Sequence, residues 1–225
     1  MKVTQEPKTH NTNSDFESPQ KGNKRGYQIV KRIFDVLAAG VGLIFCIVPI
    51  GIIALLIKLD SPGPVFYVHH RIGKNGKELP LLKFRSMRIN ADEMMKEFTP
   101  EQKKEWESNF KLEHDPRITK VGNFLRRSSL DELPQLINIL KGELSVVGPR
   151  PIVQEELEKY GENKEKFLSA MPGLTGYWQA YARSTCTYEQ RIQMELFYVE
   201  NANLWLDTKI VFATIGAVFK GRGAK

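Results

Sequence analysis

The chain has 225 residues, of which 41% are apolar and 26% are charged, and this composition excludes wholesale disorder. The 33 lysines and arginines exceed the 26 acidic residues, and the formal net charge of +7 favours anionic partners such as phospholipid headgroups, nucleic acid or phosphorylated small molecules. The two cysteines, Cys46 and Cys186, argue against a disulfide framework, and no Cys/His cluster has the spacing of zinc ligands.

Residues 1–28 are polar and lack hydrophobic periodicity, which predicts a disordered tail. They do not resemble a secretory signal, because the apolar segment behind them begins too late and no A-x-A-like cleavage site follows it.

Residues 29–60 are predicted to form a membrane helix. The run from Val36 to Ile57 holds 22 residues without a charge. As a helix it is about 33 Å long, enough to cross a bilayer core of about 30 Å. A buried helix of a soluble core is the alternative, but soluble domains of this size rarely need such a run.

Two features of this segment predict how it meets the membrane. Pro49 lies well inside it, and an interior proline usually kinks or breaks a helix. Lysines and arginines flank both ends, although positive charge normally marks the cytoplasmic side. A helix broken at Pro49 that enters and leaves by one face explains both features, and a straight span with a tolerated kink is the alternative.

A hairpin and several helices are predicted behind this segment. Residues 62–85 contain two β-rich runs around an Asn75-Gly76 turn, a strong hairpin signal. Residues 90–112 have a helical pattern interrupted at Pro100, and two further helices are predicted within 153–169.

The last two predicted helices lie near the C-terminus. Thr187 to Gln190 fits a capping box that opens a helix reaching to about Asn201. The apolar helix from Leu204 to Lys220 has an uncharged run too short to span a bilayer, so it is either a core helix or one lying at the membrane surface.

An adjacent acidic pair, Asp131 and Glu132, precedes a predicted amphipathic helix that ends near Gly142. Acidic residues often cap a helix start, and Pro134 favours Asp131 as the N-cap over Ser129, because a missing N–H is tolerated in the first turn. A helix start also attracts phosphate. The pair therefore has two open interpretations, a structural cap and a pair of reactive carboxylates.

Several basic residues are candidates for phosphate binding, because arginine suits bidentate phosphate contacts. Arg150 stands between two prolines, which lower the entropic cost of presenting its guanidinium. A solvated basic face is the alternative interpretation. The candidates are Lys83, Arg85, Arg117, Arg126, Arg127 and Arg150.

The ordered motifs resemble one protein family. They are KRIFD, GPVFYVHHRIGKNGK, LKFRSM, DPRITKVGNFLRRSSLDELPQLINILKGELSVVGPRP, PGLTGYWQ and YVENANLWLDTKI. Over residues 29–221 the chain resembles the bacterial sugar transferases, in their short form the monotopic polyprenyl-phosphate phosphoglycosyl transferases. Many members have serine where this chain has Val48, which weakens the analogy at the break.

The resemblance implies a mixed α/β, mainly helical fold. It comprises a re-entrant membrane helix broken at Pro49, a small β-hairpin and interfacial amphipathic helices. Residues 61–221 would form the catalytic domain, on the cytoplasmic face of the bacterial inner membrane. A homodimer is possible, and nucleic acid is not an expected partner.

The resemblance also implies a reaction. Hexose-1-phosphate passes from a UDP-sugar to undecaprenyl phosphate and UMP leaves, in the first membrane step of exopolysaccharide or other surface glycan synthesis. Asp131 is implied as the nucleophile that forms an aspartyl–phosphosugar intermediate, Asp131 and Glu132 as the Mg²⁺ site, and Lys83, Arg126 and Arg150 as the matching basic residues. No single residue discriminates the sugar.

Two other classes remain alternatives. One is a non-catalytic, membrane-tethered module that binds anionic lipid or nucleic acid, and the other is a bitopic scaffold with an ordinary span. The binding module does not explain why Asp131 and Glu132 stand close behind Arg126 in the sequence, and the topology of the membrane helix distinguishes the scaffold.

Overall fold

The computed structural model describes residues 24–109, 112, 114–182 and 186–219. Within them the chain is mainly helical, with two small two-stranded sheets. The predicted tail lies outside the described residues as far as residue 23. The elements are α1 (Lys24–Asp60), β1 (Phe66–Ile72), β2 (Glu78–Phe84), α2 (Ala91–Met94), α3 (Pro100–Asn109), α4 (Lys120–Ser128), α5 (Gln135–Lys141), β3 (Ser145–Val147), α6 (Gln154–Leu157), α7 (Lys164–Leu168), β4 (Gly173–Thr175), α8 (Tyr177–Tyr181), α9 (Tyr188–Asn201) and α10 (Leu204–Phe219).

Helix α1 is 37 residues long and begins ahead of the predicted boundary at residue 29. Within the described residues it is long and apolar enough to cross a membrane. Pro49 lies inside this one helix rather than between two helices, and the change of direction predicted there stays a prediction. The apolar side chains near its middle face outward, as Ile44 is 71% exposed and Phe45 is 78% exposed.

Both halves of α1 pack on the rest of the molecule. Ala39 in the first half joins a buried cluster with Ile139 of α5 and with leucines of β2. Ile53 and Ile57 in the second half join another with Phe84 and Leu125, from β2 and α4. The core therefore lies between α1 and the hairpin with its following helices.

The predicted hairpin is confirmed. Strands β1 and β2 pair antiparallel with Phe66 opposite Phe84. Asn75 and Gly76 both adopt positive φ, at 57° and 75°, as the turn requires. The free edge of β2 is bonded by Asn138 of α5, which accepts from Leu82 N at 3.0 Å and donates to Pro80 O at 2.9 Å. Pro80 lies on this edge strand, where a proline is tolerated because its missing N–H interrupts no strand pairing.

The segment around the acidic pair differs from its prediction. Helix α4 ends at Ser128. The next residue, Ser129, has a left-handed φ of 59°, and a 3-10 turn over Leu130–Glu132 follows. Pro134 then precedes the first residue of α5. The prediction that Asp131 caps the helix is therefore wrong, because the left-handed Ser129 places a separate turn ahead of α5. The predicted end at Gly142 is confirmed, with φ of 82°.

The C-terminal part confirms two helices and adds a sheet. The Thr187 capping box is present, with both of its hydrogen bonds, and opens α9; α10 follows. The parallel pair of β3 with β4 was not predicted. Tyr198 of α9 donates to Asp207 of α10 at 2.7 Å, and Lys31 of α1 pairs with the same carboxylate at 2.8 Å. The N-terminal end of α1 is thus fixed to the C-terminal helices.

Candidate active site

The acidic pair lies on the 3-10 turn that packs against β2. Asp131 is buried, with 9% of its surface exposed. Glu132 accepts a hydrogen bond from Lys83 of β2, with 2.9 Å between Nζ and Oε1. Burial raises the pKa of Asp131, and the positive charge of Lys83 opposes the rise. The structure therefore brings the predicted carboxylates and one predicted cation together.

Arg126 is a second cation whose charge acts on Asp131. It belongs to the last turn of α4, and its Nε donates to Ser86 Oγ at 2.8 Å. Its charge also opposes the rise in the pKa of Asp131. The position of Arg126 depends on a close helix approach, because a Cβ added at Gly122 would lie 2.0 Å from Ser86 O. The glycine in α4 thus lets this helix lie against Ser86, which Arg126 contacts.

Two other predicted cations, Arg85 and Arg117, bind partners other than the acidic pair. The buried Arg85 donates to the carbonyls of Ser61 and Pro62, at 2.8 Å for Ser61, and so ties the loop behind α1. Arg117 pairs with Asp115 at 2.7 Å, and both side chains are almost fully buried. The phosphate-binding role predicted for Arg85 stays a prediction.

Arg150 lies close enough to His69 of β1 for its charge to act on the imidazole. Burial, with the charges of Lys83 and Arg150 among others, lowers the pKa of His69 to about 4. The imidazole is therefore neutral at neutral pH. Arg71, Lys83 and Arg150 all lie close enough to His69 for their charges to act on it, although Arg150 is far from the other two in the sequence.

A charged network behind Arg150 was missed by sequence reasoning. Glu156 of α6 lies 3.3 Å from Arg71 and 3.1 Å from Arg191 of α9. Glu195, one turn beyond Arg191, is 1% exposed and accepts from the backbone N of Arg150. The available signal was the helical spacing of Arg191, Glu195 and Tyr198, which form the buried face of α9.

Asp131 and Glu132 are also candidate metal ligands. Among the described residues, no group of three or more histidine, cysteine, aspartate or glutamate side chains could hold a metal ion. A pair of carboxylates is nevertheless a fitting donor set for Mg²⁺, which usually binds one or two carboxylates together with substrate phosphates. Asp131 and Glu132 therefore fit an ion that arrives with a phosphorylated substrate.

Comparison with known proteins decides the family. The family model described as bacterial sugar transferase matches residues 26–221. The chain belongs to the bacterial sugar transferase family. The match spans α1, the hairpin, the acidic pair and all later helices, so this bacterial sugar transferase carries the family's sequence along nearly its whole described length.

Three relatives show the range of the family. The transferase is 45% identical over 204 residues to an undecaprenyl-phosphate galactose phosphotransferase of Salmonella typhimurium, covering 89% of this chain and 43% of the relative. It is 47% identical over 199 residues to the exopolysaccharide production protein ExoY of Rhizobium meliloti, covering 87% and 88%. It is 38% identical over 215 residues to a UDP-glucose:undecaprenyl-phosphate glucose-1-phosphate transferase of Escherichia coli, covering 92% and 42%. The chain thus spans less than half of the first and third relatives and most of the second.

Proposed function

We propose that this protein transfers a hexose-1-phosphate from a UDP-sugar to undecaprenyl phosphate and releases UMP. The observation that carries the proposal is the buried Asp131 beside Glu132, with Lys83 paired to Glu132 and with the charges of Lys83 and Arg126 acting on Asp131. The printed names of relatives at 38–45% identity describe this type of transfer onto undecaprenyl phosphate, with galactose or glucose.

The proposed chemistry proceeds in two displacements at phosphorus. Asp131 Oδ attacks the β-phosphorus of the donor; an O–P bond forms, and the bond to the UMP oxygen breaks with its electron pair leaving on UMP. An oxygen of undecaprenyl phosphate then attacks the same phosphorus and releases the Asp131 carboxylate. Two steps let a soluble donor and a lipid acceptor use one site in turn.

The neighbouring charges make this attack feasible. A diphosphate repels a carboxylate, so the developing negative charge must be neutralised by fixed cations. Lys83 and Arg126 supply two such charges, and Arg150 supplies another along the hairpin surface. Bound Mg²⁺, held by Asp131 and Glu132 with the donor phosphates, would neutralise further charge on the diphosphate.

We further propose that α1 enters and leaves the inner membrane by its cytoplasmic face, with Pro49 at the break. Support comes from contacts at both ends of the helix. Arg32 Nη1 and Nη2 donate to carbonyls of α5 at 2.6 and 2.7 Å, and Asp60 accepts from Val121 N of α4 at 3.1 Å. A helix that crossed the bilayer would separate these ends by about 30 Å of hydrocarbon. Apolar residues near the middle of the helix, including Phe45, face outward.

A defined assay tests the reaction. Purified protein in nanodiscs receives undecaprenyl phosphate and UDP-galactose or UDP-glucose, and UMP is quantified. We expect UMP release from one of these donors by the wild type and by the control Asp92→Asn, whose side chain is exposed on α2. Asp131→Asn should abolish release, and intact mass after donor alone should show a phosphosugar adduct on the wild type.

Two results would contradict the proposal. One is the absence of UMP release with every UDP-sugar tested, as expected for a module that only binds anionic lipid. The other is full turnover by Asp131→Asn, which would exclude the aspartyl intermediate. The membrane arrangement is tested separately by labelling single cysteines placed near Lys74 and ahead of α1, and labels on opposite sides would refute the re-entrant helix alone.

A further inference from the structure

The segment Pro149–Arg150–Pro151 has one backbone hydrogen-bond donor, the N–H of Arg150, because proline has none. Both carboxylate oxygens of Glu195 lie near this nitrogen, at 3.2 Å for Oε1 and 3.0 Å for Oε2. Glu195 comes from α9 and is fully enclosed. Burying a carboxylate is costly unless it is hydrogen-bonded or paired. Because a buried carboxylate is used on this one N–H, we expect the backbone position of Arg150 to be closely fixed.

A second contact from α9 reaches the Arg150 side chain. Arg191 lies one turn before Glu195, and its Nε is 4.0 Å from Glu195 Oε1. The Arg191 guanidinium carbon stands 4.5 Å from the ring centroid of Trp178, and that of Arg150 stands 5.9 Å from the same centroid. Arginine stacks favourably on such a ring. Helix α9 thus supports Arg150 at its backbone and, through Trp178, at its guanidinium.

We propose that Glu195 is a positioning residue, which holds Arg150 at the hairpin surface so that its guanidinium meets the diphosphate of the donor. The inference rests on the proposed function. Glu195 itself does not contact the reacting atoms; it acts through the backbone of Arg150. Removing its acceptor frees the segment between the prolines and leaves the Arg150 N–H without its partner. The loss therefore falls on donor binding first.

The charges around Glu195 give a second readout. Burial raises the pKa of Glu195 to about 7, and the charges of Arg191 and Arg150 oppose the rise. Glu156 faces it with a like charge, and the tyrosines that face it are Tyr160 and Tyr188. Below that pKa the carboxyl is neutral and its attraction for Arg150 weakens. The KM of the wild type for the donor should therefore rise as the pH falls below about 7. The KM of Glu195→Gln should not change over this pH range.

The test compares two substitutions with a control on the same helix. Glu195→Ala removes the acceptor, and Glu195→Gln keeps a carbonyl oxygen and the volume. Glu200→Gln makes the same chemical change at an exposed residue that pairs with Lys166 on the surface. UMP release is measured against UDP-sugar concentration and pH, and the melting temperature of each variant is recorded.

We expect Glu195→Ala to raise the donor KM at least tenfold with a smaller change in kcat. Glu195→Gln, which is neutral like the protonated wild type, should show at pH 8 the raised donor KM that the wild type reaches at low pH, but below that of Glu195→Ala. Glu200→Gln should match the wild type. An unchanged donor KM in folded Glu195→Ala overturns the inference, as does a pure loss of kcat shared by both variants. If Glu195→Ala does not fold, the inference is overturned when the donor KM of Glu195→Gln rises at low pH as it does in the wild type. Absence of UMP release by wild type and control with every donor would instead refute the proposed function.

Discussion

Replacing Asn138 with leucine should destabilise the fold and misplace Lys83. The buried Asn138 side chain makes three hydrogen bonds, to Leu82 N, to Pro80 O and to Glu143 Oε2, at 3.0, 2.9 and 2.7 Å. Leucine has nearly the same volume but leaves the Leu82 N–H and the Pro80 carbonyl without these partners. An unsatisfied buried group costs about 1–3 kcal/mol, so the free energy of unfolding should fall by about 3 kcal/mol.

The magnitude converts into a measurable shift. For a chain of this size about 1 kcal/mol corresponds to about 2–4 °C, so the melting temperature should fall by about 6–12 °C. Thermal melting in nanodiscs measures this, with Asn123→Leu as control because Asn123 is exposed on α4. UMP release should fall as well, since Lys83 lies on the strand that Asn138 fixes. A decrease in melting temperature of less than about 2 °C, or one no larger than that of the control, would refute the reasoning that these hydrogen bonds stabilise the fold.

Two further substitutions test the site. Lys83→Met removes the cation 2.9 Å from Glu132, and kcat/KM for UMP release should fall about a hundredfold, whereas Lys77→Met in the exposed turn should leave it unchanged. Gly122→Ala puts a methyl group 2.0 Å from Ser86 O, so α4 must shift and the melting temperature should fall, although alanine normally favours a helix by about 1 kcal/mol over glycine. A higher melting temperature for Gly122→Ala would show that the close approach is not constraining.

The elements that the sequence predicts correctly depend on local signals. Asn75-Gly76 specifies the hairpin turn by backbone conformation alone, and the Thr187 capping box specifies the start of α9. The long apolar run likewise identifies α1 by itself. Each of these signals lies within a few residues or one uninterrupted segment, so no distant contact is needed to read it.

The elements that it misses depend on distant contacts. Strands β3 and β4 are three residues each, and their pairing joins Ser145 to Gly173. The 3-10 turn at the acidic pair follows from the left-handed Ser129, a conformation that no local motif requires. Arg85 and Glu195 are charged residues, a type that is usually exposed. They are buried here because residues distant in the sequence supply their hydrogen-bond partners.

The contacts of α1 tie this apolar helix to the rest of the fold. Lys31, Arg32 and Asp35 each bond to a different element: Asp207 of α10, the carbonyls that end α5, and Val146 N of β3. A chimera with a foreign transmembrane segment would leave those three partners without their bonds. Such a graft should yield poorly folded protein even where the foreign segment inserts normally, so α1 is a structural part of this fold and cannot be exchanged for another apolar helix.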